Sequence, residues 1–323
     1  MAKKQKERAF SYLSDSERDE IEILRNKGHS MRSIANIFGR SPNTISYELQ
    51  RVRSGYRAMY AKQYARTNLK NRRFQWSKIE SSKELKRYIV SSLKKYWNPD
   101  EISGRMKKEN QPFYISKSAI YKWLETVRGE RYKKYLYGER PGRRHKKTKG
   151  VTGQIHGMVS VMERSMGANN RLRFGHHESD LVVSGRSGTG GLSTDIERKS
   201  RYISAEKVIN LSALEKDRAV TKLIERQKVL SMTFDRGHEN AHHESYGVPT
   251  YFCGAYHSWE KGGVENANKM IRRFFPKKTN FASVSQKEVD RIVSIINNKP
   301  RKILGYYTST EVAVAGGVIN RVS

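Results

Sequence analysis

The chain has a single cysteine, Cys253, among 323 residues. One thiol excludes an internal disulfide framework and any cysteine-rich zinc module, and its simplest role is that of a small buried apolar residue. Long apolar runs are also missing, because no uninterrupted stretch approaches the roughly 18 residues of a membrane span. Met1–Arg8 is basic, but Phe10–Glu20 follows with charges where a secretory leader needs an apolar centre. These absences predict a cytosolic protein. Acidic residues are scarce too: 32 stand against 64 Lys and Arg, leaving a formal net charge of +32 and a pI near 10.2. Such an excess opposes compaction and calls for a polyanionic partner, nucleic acid first and an anionic membrane surface second. At 36% hydrophobic residues the chain can still bury cores, which excludes wholesale disorder. Its length suggests two or three compact units.

The first unit, residues 1–56, has the local signals of three short helices. Ser14 or Asp15 can cap a helix that Gly28 ends, with Ile21 and Leu24 facing one way beside Ile23. Ser30 caps a second, in which Met31, Ile34, Ala35 and Phe38 fall at i, i+3, i+4 and i+7. Gly39 supplies the turn, Ser41 the next cap, Pro42 the first helical position, and Ile45 and Leu49 the apolar stripe. This is the helix-turn-helix pattern, and it sets Arg40, Asn43, Thr44 and Tyr47 toward a major groove, where Asn pairs with adenine and Arg with guanine. A plain three-helix bundle with a solvated basic face is the competing reading.

Residues 57–80 interleave Arg57, Lys62, Arg66, Lys70, Arg72 and Arg73 with Tyr60, Tyr64 and Phe74. They read either as a helix lying along phosphates or as a solvated connector. Residues 81–138 form a weaker, second helix-turn-helix-like segment. Leu85, Ile89 and Leu93 space one helix, Pro99 opens another through Ile102 and Met106, and Ser116 or Ser118 caps a third with Ile120, Trp123 and Leu124. Lys117, Tyr121 and Lys122 are its outward residues; a packing-only role is the alternative. Residues 139–170 begin as a Gly-, Pro- and Arg/Lys-rich linker.

From residue 171 the texture becomes α/β. Asp180–Ser184, Leu192–Ile196, Tyr202–Val208, Val229–Phe234 and Thr250–Phe252 read as strands, with helices over about Ser212–Lys228 and Gly263–Phe275. The glycines of Gly185–Gly191 read as a hairpin loop, since no P-loop Lys-Ser/Thr follows. Strands first, then alternation with helices, predict a mixed sheet. Asp180 falls on the first strand, Asp235 at the end of a later one, and Glu265 beside the Val264, Ala267, Ile271, Phe274 stripe of the last of these helices. Three carboxylates on two strands and a helix, in a protein with DNA-binding modules, make a hard-oxygen cage for two Mg²⁺ ions that stabilise phosphoryl transfer. That is the arrangement of a ribonuclease-H-like polynucleotidyl transferase. His238-Glu239-x-x-His242 also matches the H-E-x-x-H zinc-peptidase pattern, with Glu260 as a conceivable third ligand, but strand and turn precede it where a sustained helix is needed. His176, His177, His243 and His257 lack ligand spacing and read as surface or DNA-contacting residues.

The chain resembles the IS-thirty family of insertion-sequence transposases, which carry an Asp-Asp-Glu (DDE) catalytic triad. Ser30–Glu48 is similar to the family's helix-turn-helix, and Trp97–Ile102 with Ile120-Tyr121 to its second DNA-binding segment. Gly175–Asp180 resembles Gly-His-Trp-Glu-Gly-Asp around the first aspartate, and Glu197–Tyr202 a shared strand segment. Asp235–Glu239 is similar to the D-x-G-x-E around the second aspartate, and Trp259–Asn268 to the Trp-containing run before the glutamate. Asn298–Lys302 and Leu304–Thr308 resemble the closing segment. Departures are His177 for a tryptophan, Ser179 for a glycine, Ser309 for the proline of a Thr-Pro pair, and an Asp235–Glu265 spacing of 30 positions, shorter than the family's.

The resemblance implies a ribonuclease-H-like catalytic domain over residues 171–323. It implies binding to the terminal inverted repeats of an element, then metal-dependent DNA cleavage and strand transfer. The expected roles are Asp180, Asp235 and Glu265 as catalytic residues and ligands of two Mg²⁺ (Mn²⁺ substituting), with Glu239 orienting the site from behind. Lys269 and Arg272 would hold the DNA end. No nucleotide cofactor or membrane is expected, and the protein would act as a homodimer or higher homo-oligomer on double-stranded DNA, in the cytoplasm of a bacterial or archaeal cell and on its nucleoid. The alternative of another class is a helix-turn-helix regulator whose second domain is not catalytic.

Overall fold

A computed structural model describes residues 12–52, 55–74, 77–136, 155–185, 188–254 and 258–320. The Gly138–Gly150 linker, His257, and the side chains of Lys70, Arg72, Arg73 and Phe74 lie outside the described residues. The chain divides into two compact units, Met1–Lys83 with Tyr121–Arg131, and Glu84–Ile120 with Tyr132–Ser323. Among the described residues no helix is long and apolar enough to cross a membrane.

The first unit opens with α1 (Asp15–Asn26), α2 (Met31–Ile37) and α3 (Pro42–Leu49). Each helix starts where a serine can accept a backbone hydrogen bond: Ser14 from Glu17 N–H, in a reciprocal capping box, Ser30 from Ser33 N–H, and Ser41 from Asn43 N–H. Gly28 and Gly39 take positive φ at the two turns (+84° and +58°), where a side chain would be strained. Leu13, Ile21, Ile34, Ala35 and Ile45 form the core, with Leu24, Phe38 and Leu49 partly buried against it. Ile23 and Met31 are exposed. Beneath the apolar core lies a buried charge cluster in which Arg18 donates to Glu48 at 2.7 Å and Arg51 donates to the other Glu48 oxygen at 2.7 Å. The basic run, read either as a helix lying along phosphates or as a solvated connector, is helix α4 (Ala58–Phe74), followed by the one-turn α5 (Lys78–Ser81). Ala58 and Ala61 of α4 are buried, while Lys62 and Arg66 pair with Asp19 and Asp15 of α1. Part of its positive charge is therefore neutralised within the unit.

The next helices are α6 (Lys83–Lys94), α7 (Pro99–Lys108) and α8 (Lys117–Leu124). Residues 81–138 were expected to form a separate unit, but Glu84–Ile120 belongs with the carboxy-terminal half, and the expected grouping of α6, α7 and α8 is divided at Ile120. The physical reason lies in α7. Gly104 lacks a side chain where the Tyr306 ring packs, since a Cβ there would lie 2.0 Å from that ring. Arg105 makes paired hydrogen bonds to Glu311 at 2.8 and 2.7 Å, and Glu101 pairs with Lys299 at 3.3 Å.

After the single turn α9 (Met166–Asn169), the second unit builds its sheet from β1 (His176–Val183), β2 (Gly191–Glu197), β3 (Ile203–Val208), β4 (Ser231–Phe234) and β5 (Thr250–Phe252), with α10 (Ala213–Arg226) between β3 and β4. The strand order is β3-β2-β1-β4-β5. β1, β2 and β3 are antiparallel neighbours, whereas β4 runs parallel to β1 and β5 parallel to β4. This mixed sheet is a ribonuclease-H-like α/β core, the predicted fold. Three helices follow: α11 (Gly262–Phe274), α12 (Gln286–Asn297) and α13 (Ser309–Ala315). Val182, Leu192, Ile196 and Ile203 pack with Val264, Ala267 and Ile271 of α11 and Val289, Ile292 and Ile296 of α12. Val220 and Leu223 of α10 pack with Met232, Phe234 and Phe252. Alternation along β1 thus turns Glu178, Asp180 and Val182 toward α11, and His177 and Ser179 toward α10.

Loss of the Glu48 carboxylate would remove the buried charge partner of Arg18, leaving it the Leu13 carbonyl at 2.8 Å and the more exposed Asp15 carboxylate at 3.4 Å, at a cost of about 3–5 kcal/mol. Glu48→Ala is therefore expected to lower the unfolding free energy of this unit by that amount in chemical denaturation and to abolish DNA binding at 37 °C. A loss below about 1 kcal/mol, the level of exposed pairs, would contradict a buried pair.

Candidate active site

Two parallel neighbouring strands present the aspartates. The β1–β4 register pairs Glu178 with Thr233, so two residues farther along each strand Asp180 and Asp235 stand side by side. Adjacent strands run only about 4.8 Å apart, and two carboxylates at that separation repel unless a cation stands between them. Here the cation is Lys261, whose ammonium lies 3.2 Å from Asp180 Oδ1 and 2.9 Å from Asp235 Oδ2. The Lys261 side chain is 8% exposed. Burial alone would lower its pKa, but the two carboxylates reverse the effect and raise it, so the ammonium stays charged. Burial alone would likewise raise the Asp235 carboxyl, yet Lys261, with the Gly237 N–H and Lys216 behind, holds it below the ordinary carboxylate value.

The remaining carboxylate oxygens are also engaged. Asn268 Nδ2 of α11 donates to Asp180 Oδ2 at 2.7 Å, and Thr194 of β2 donates to Asn268 Oδ1 at 2.7 Å, fixing the amide's orientation. Asn240 Nδ2 donates to Asp235 Oδ1 at 3.1 Å and to its carbonyl at 3.2 Å. Lys261, Asn240 and Asn268 were not singled out in the sequence. Asn240 takes the place expected of Glu239, whose carboxylate instead folds over Gly237, where a Cβ would lie 2.4 Å from it.

Glu265 sits in the first turn of α11, partly buried. Lys261, Glu265 and Asn268 fall at i, i+4 and i+7, so Glu265 shares the helix face whose flanking members both touch Asp180. The helix is set in place by Glu178, two residues before Asp180. Its buried carboxylate accepts from Val264 N–H at 3.0 Å and pairs with buried Arg198 at 3.0 Å. Gly263 makes the approach possible, because a Cβ there would lie 2.5 Å from Glu178 Oε2. Among the described residues no three His, Cys, Asp or Glu side chains gather closely enough to hold a metal ion. The structure brings Asp180 and Asp235 together around the Lys261 ammonium and leaves Glu265 outside that cluster. The donor set nonetheless fits a cation: two carboxylates already share one.

On the opposite face of the sheet the fully buried Lys216 of α10 donates to Ser179 Oγ and, at 2.8 Å, to Ser193 Oγ, with the Asp180 carbonyl at 3.5 Å. Burial lowers its pKa, opposed by Asp195 and Asp180. His176, His177 and His243, read as surface or DNA-contacting residues, are inside. His176 meets Ser231 Oγ at 2.8 Å across β1 and β4, His177 meets the Lys228 carbonyl at 3.2 Å, and His243 meets Thr250 Oγ1 and the His156 carbonyl at 2.8 and 2.9 Å. His243 engages both ring nitrogens with buried polar groups, whereas His176 and His177 engage one each, through Nδ1 and Nε2 respectively. Cys253 is buried as expected, and burial pushes its thiol up to about 12.

The zinc-peptidase pattern fails on geometry. His238–Asn240 and His243–Tyr246 are separate 3₁₀ turns, so no helix carries His238 and His242 on one face. Of the residues expected to touch DNA, Asn43 and Tyr47 are exposed on α3 and Thr44 half-buried, while Lys117, Tyr121 and Lys122 are exposed on α8 and Lys269 on α11. Two arginines differ from expectation. Arg40 turns back to pair with Glu17 at 2.9 Å. Arg272 donates to the Val183 carbonyl at 2.6 Å and lies over the Phe281 ring, where it ties α11 to the end of β1.

Sequence comparison finds a matching helix-turn-helix profile and relatives over nearly the whole chain. A family profile described as a helix-turn-helix domain matches residues 9–52. Transposase InsI for insertion sequence element IS30A of Escherichia coli K12 is 34% identical, over 97% of this chain and 86% of its own length. The transposase for IS1086 of Cupriavidus metallidurans is 32% identical over 94% of both chains. That for IS4351 of Bacteroides fragilis is 30% identical over 93% of this chain and 94% of its own. Among solved structures, the catalytic core domain of BIV integrase aligns with 44% of this chain and 94% of its own at 18% identity and a TM-score of 0.34. The HTLV-2 integrase catalytic core domain in complex with magnesium aligns with 42% and 94% at 14% identity and a TM-score of 0.33. With a helix-turn-helix at the front, a ribonuclease-H-like core behind, and relatives matched over nearly their whole length, the chain belongs to the IS-thirty family of insertion-sequence transposases.

Proposed function

We propose that this transposase binds the terminal inverted repeats of its own element and cleaves and joins DNA at a DDE site made by Asp180, Asp235 and Glu265. The observation that carries the reading is the sharing of one cation by Asp180 within β1 and Asp235 just after β4, at 3.2 and 2.9 Å. Glu265 adds a third carboxylate from the helix face that already carries Lys261 and Asn268. Hard oxygen donors suit Mg²⁺, with Mn²⁺ as a substitute, and a pair of such ions offsets charge on the attacking and leaving oxygens of phosphoryl transfer.

The chain's own groups have distinct tasks around that chemistry. Asn268 and Asn240 fix the directions of the aspartate carboxylates by donating to their outer oxygens. Glu178 and Arg198 hold the start of α11, which carries Glu265 in its first turn, against β1. Lys269, exposed on α11, offers its ammonium to a phosphate of the DNA end. Asn43, Thr44 and Tyr47 of α3 read bases, and Lys117, Tyr121 and Lys122 add contacts. A DNA 3′-hydroxyl that attacks phosphorus forms one P–O bond as another breaks, so strand transfer conserves phosphodiesters and needs no nucleotide cofactor. Joining two ends to one target calls for a homodimer or larger assembly on DNA, acting in the cytoplasm on the nucleoid. In this scheme the helix-turn-helix of residues 1–56 serves end binding, and residues 171–323 the chemistry.

Asp235→Asn keeps the shape of the side chain and removes its charge. It is expected to cut strand transfer on labelled end DNA by more than about 100-fold, since even outer partners of metal ligands are worth 10–100-fold. Binding to the same DNA should stay within about twofold. Normal strand transfer by this variant would contradict the triad, and binding without metal-dependent nicking by the wild type would favour a non-catalytic regulator. End binding should also fall by about 10³ or more between 50 and 200 mM salt in filter-binding titrations. A nearly flat dependence would contradict a phosphate-dominated interface.

A further inference from the structure

Lys261 is a cation built into a site read above as one for metal. Its ammonium contacts both aspartates, its side chain is 92% removed from solvent by the surrounding fold, and the pair it bridges comes from two different strands. The backbone that carries it is the 3₁₀ turn Ser258–Lys261, immediately before α11, and two glycines follow it. Asp180 and Asp235 are otherwise held by neutral amides, Asn268 and Asn240, that leave their inner oxygens to Lys261. A second cation cannot take those inner oxygens while the ammonium is on them, because two like charges would then stand within about 3–4 Å of each other in a partly dehydrated site.

We infer that Lys261 is the resident counter-ion of the catalytic aspartates, and that a divalent cation binds Asp180 and Asp235 only by displacing its ammonium. The inference rests on the reading of the two aspartates as metal ligands. It gives Lys261 two states. In the metal-free protein it cancels the repulsion between strand ends and keeps β1, β4 and α11 assembled. In the metal-loaded protein its four-carbon stem carries the ammonium away from the pair. Because the metal binds only the fraction of molecules in which the pair is vacated, its apparent affinity is reduced by that fraction. Lys261 is thus a positioning residue that sets the metal requirement of the site, without itself contacting the reacting atoms.

The test is Mn²⁺ binding to full-length protein, followed by electron paramagnetic resonance of the free ion. Lys261→Met keeps most of the stem and removes the charge, Lys261→Ala removes both, and Lys261→Arg keeps the charge. The Met and Ala variants are expected to bind Mn²⁺ at least about tenfold more tightly than the wild type, with the Arg variant close to the wild type. Thermal unfolding gives a second readout. The Met variant should melt below the wild type without metal and gain more in Tm on adding Mn²⁺, because binding stabilises the folded state as the logarithm of metal concentration over Kd and so favours the tighter site. Wild-type or weaker Mn²⁺ affinity in both the Met and Ala variants would overturn the inference. Asp235→Asn separates the two failures. If it loses Mn²⁺ while the Lys261 variants fail to tighten, only the counter-ion role falls; if it binds Mn²⁺ as the wild type does, the metal reading falls and takes the inference with it.

Discussion

Two aspartates set side by side on neighbouring parallel strands repel each other, and a positive charge between them offsets that repulsion. In this transposase that constraint organises the catalytic unit. The β1–β4 register sets Asp180 beside Asp235, and the Lys261 ammonium bridges them. The lysine begins α11, so the helix must meet the sheet at its amino-terminal end. Glu178, on the same face of β1, fixes that meeting through the Val264 N–H, and Gly263 leaves room for it. A carboxylate at a helix amino terminus also complements the helix dipole. The sheet, the helix and the placement of Glu265 therefore follow from a handful of charges on one face of one strand.

The fold was legible wherever its signals are local. Serine caps, Pro42 and the glycine turns mark the first three helices within a few residues, and every one of those caps is made. Alternation and β-rich composition marked the five strands. The helices α12 and α13 went unassigned although Ser285 with Glu288, and Val289, Ile292, Val293 and Ile296 at helical spacing, give α12 the same kind of signal. The unit boundary was less accessible. It depends on Gly104 against Tyr306 and on Arg105 with Glu311, contacts between distant segments whose residue types are common on any surface. The histidines were misread for a similar reason: His177 is inside because α10 closes over that face of the sheet, which the strand's own sequence does not reveal.

At the site, residue chemistry pointed to the carboxylates and missed their partners. Asp180, Asp235 and Glu265 stand out because acids are scarce in a chain with 64 Lys and Arg. Lys261 is hidden by the same excess, being one basic residue among many. Its signal was positional: four residues before Glu265, with Asn268 three after, it lies on one helix face. Arg40 and Arg272 show the converse. Both were assigned to DNA from charge and position on their segments, and both are engaged by the protein itself, on Glu17 and on the Val183 carbonyl. A positive charge in this protein has to be traced to its partner before it is given to the nucleic acid.

The central claim is that Asp180, Asp235 and Glu265 share a metal centre. Affinity cleavage tests it most directly: Fe²⁺ replaces Mg²⁺ in the full-length protein, and ascorbate with peroxide cuts the backbone near the bound iron. The account predicts cuts confined to three segments, around Asp180 in β1, around Asp235 after β4, and around Glu265 at the start of α11, all competed away together by Mg²⁺. Cuts confined to the His238–His242 segment, or cuts near the aspartates with none near Glu265, would contradict it.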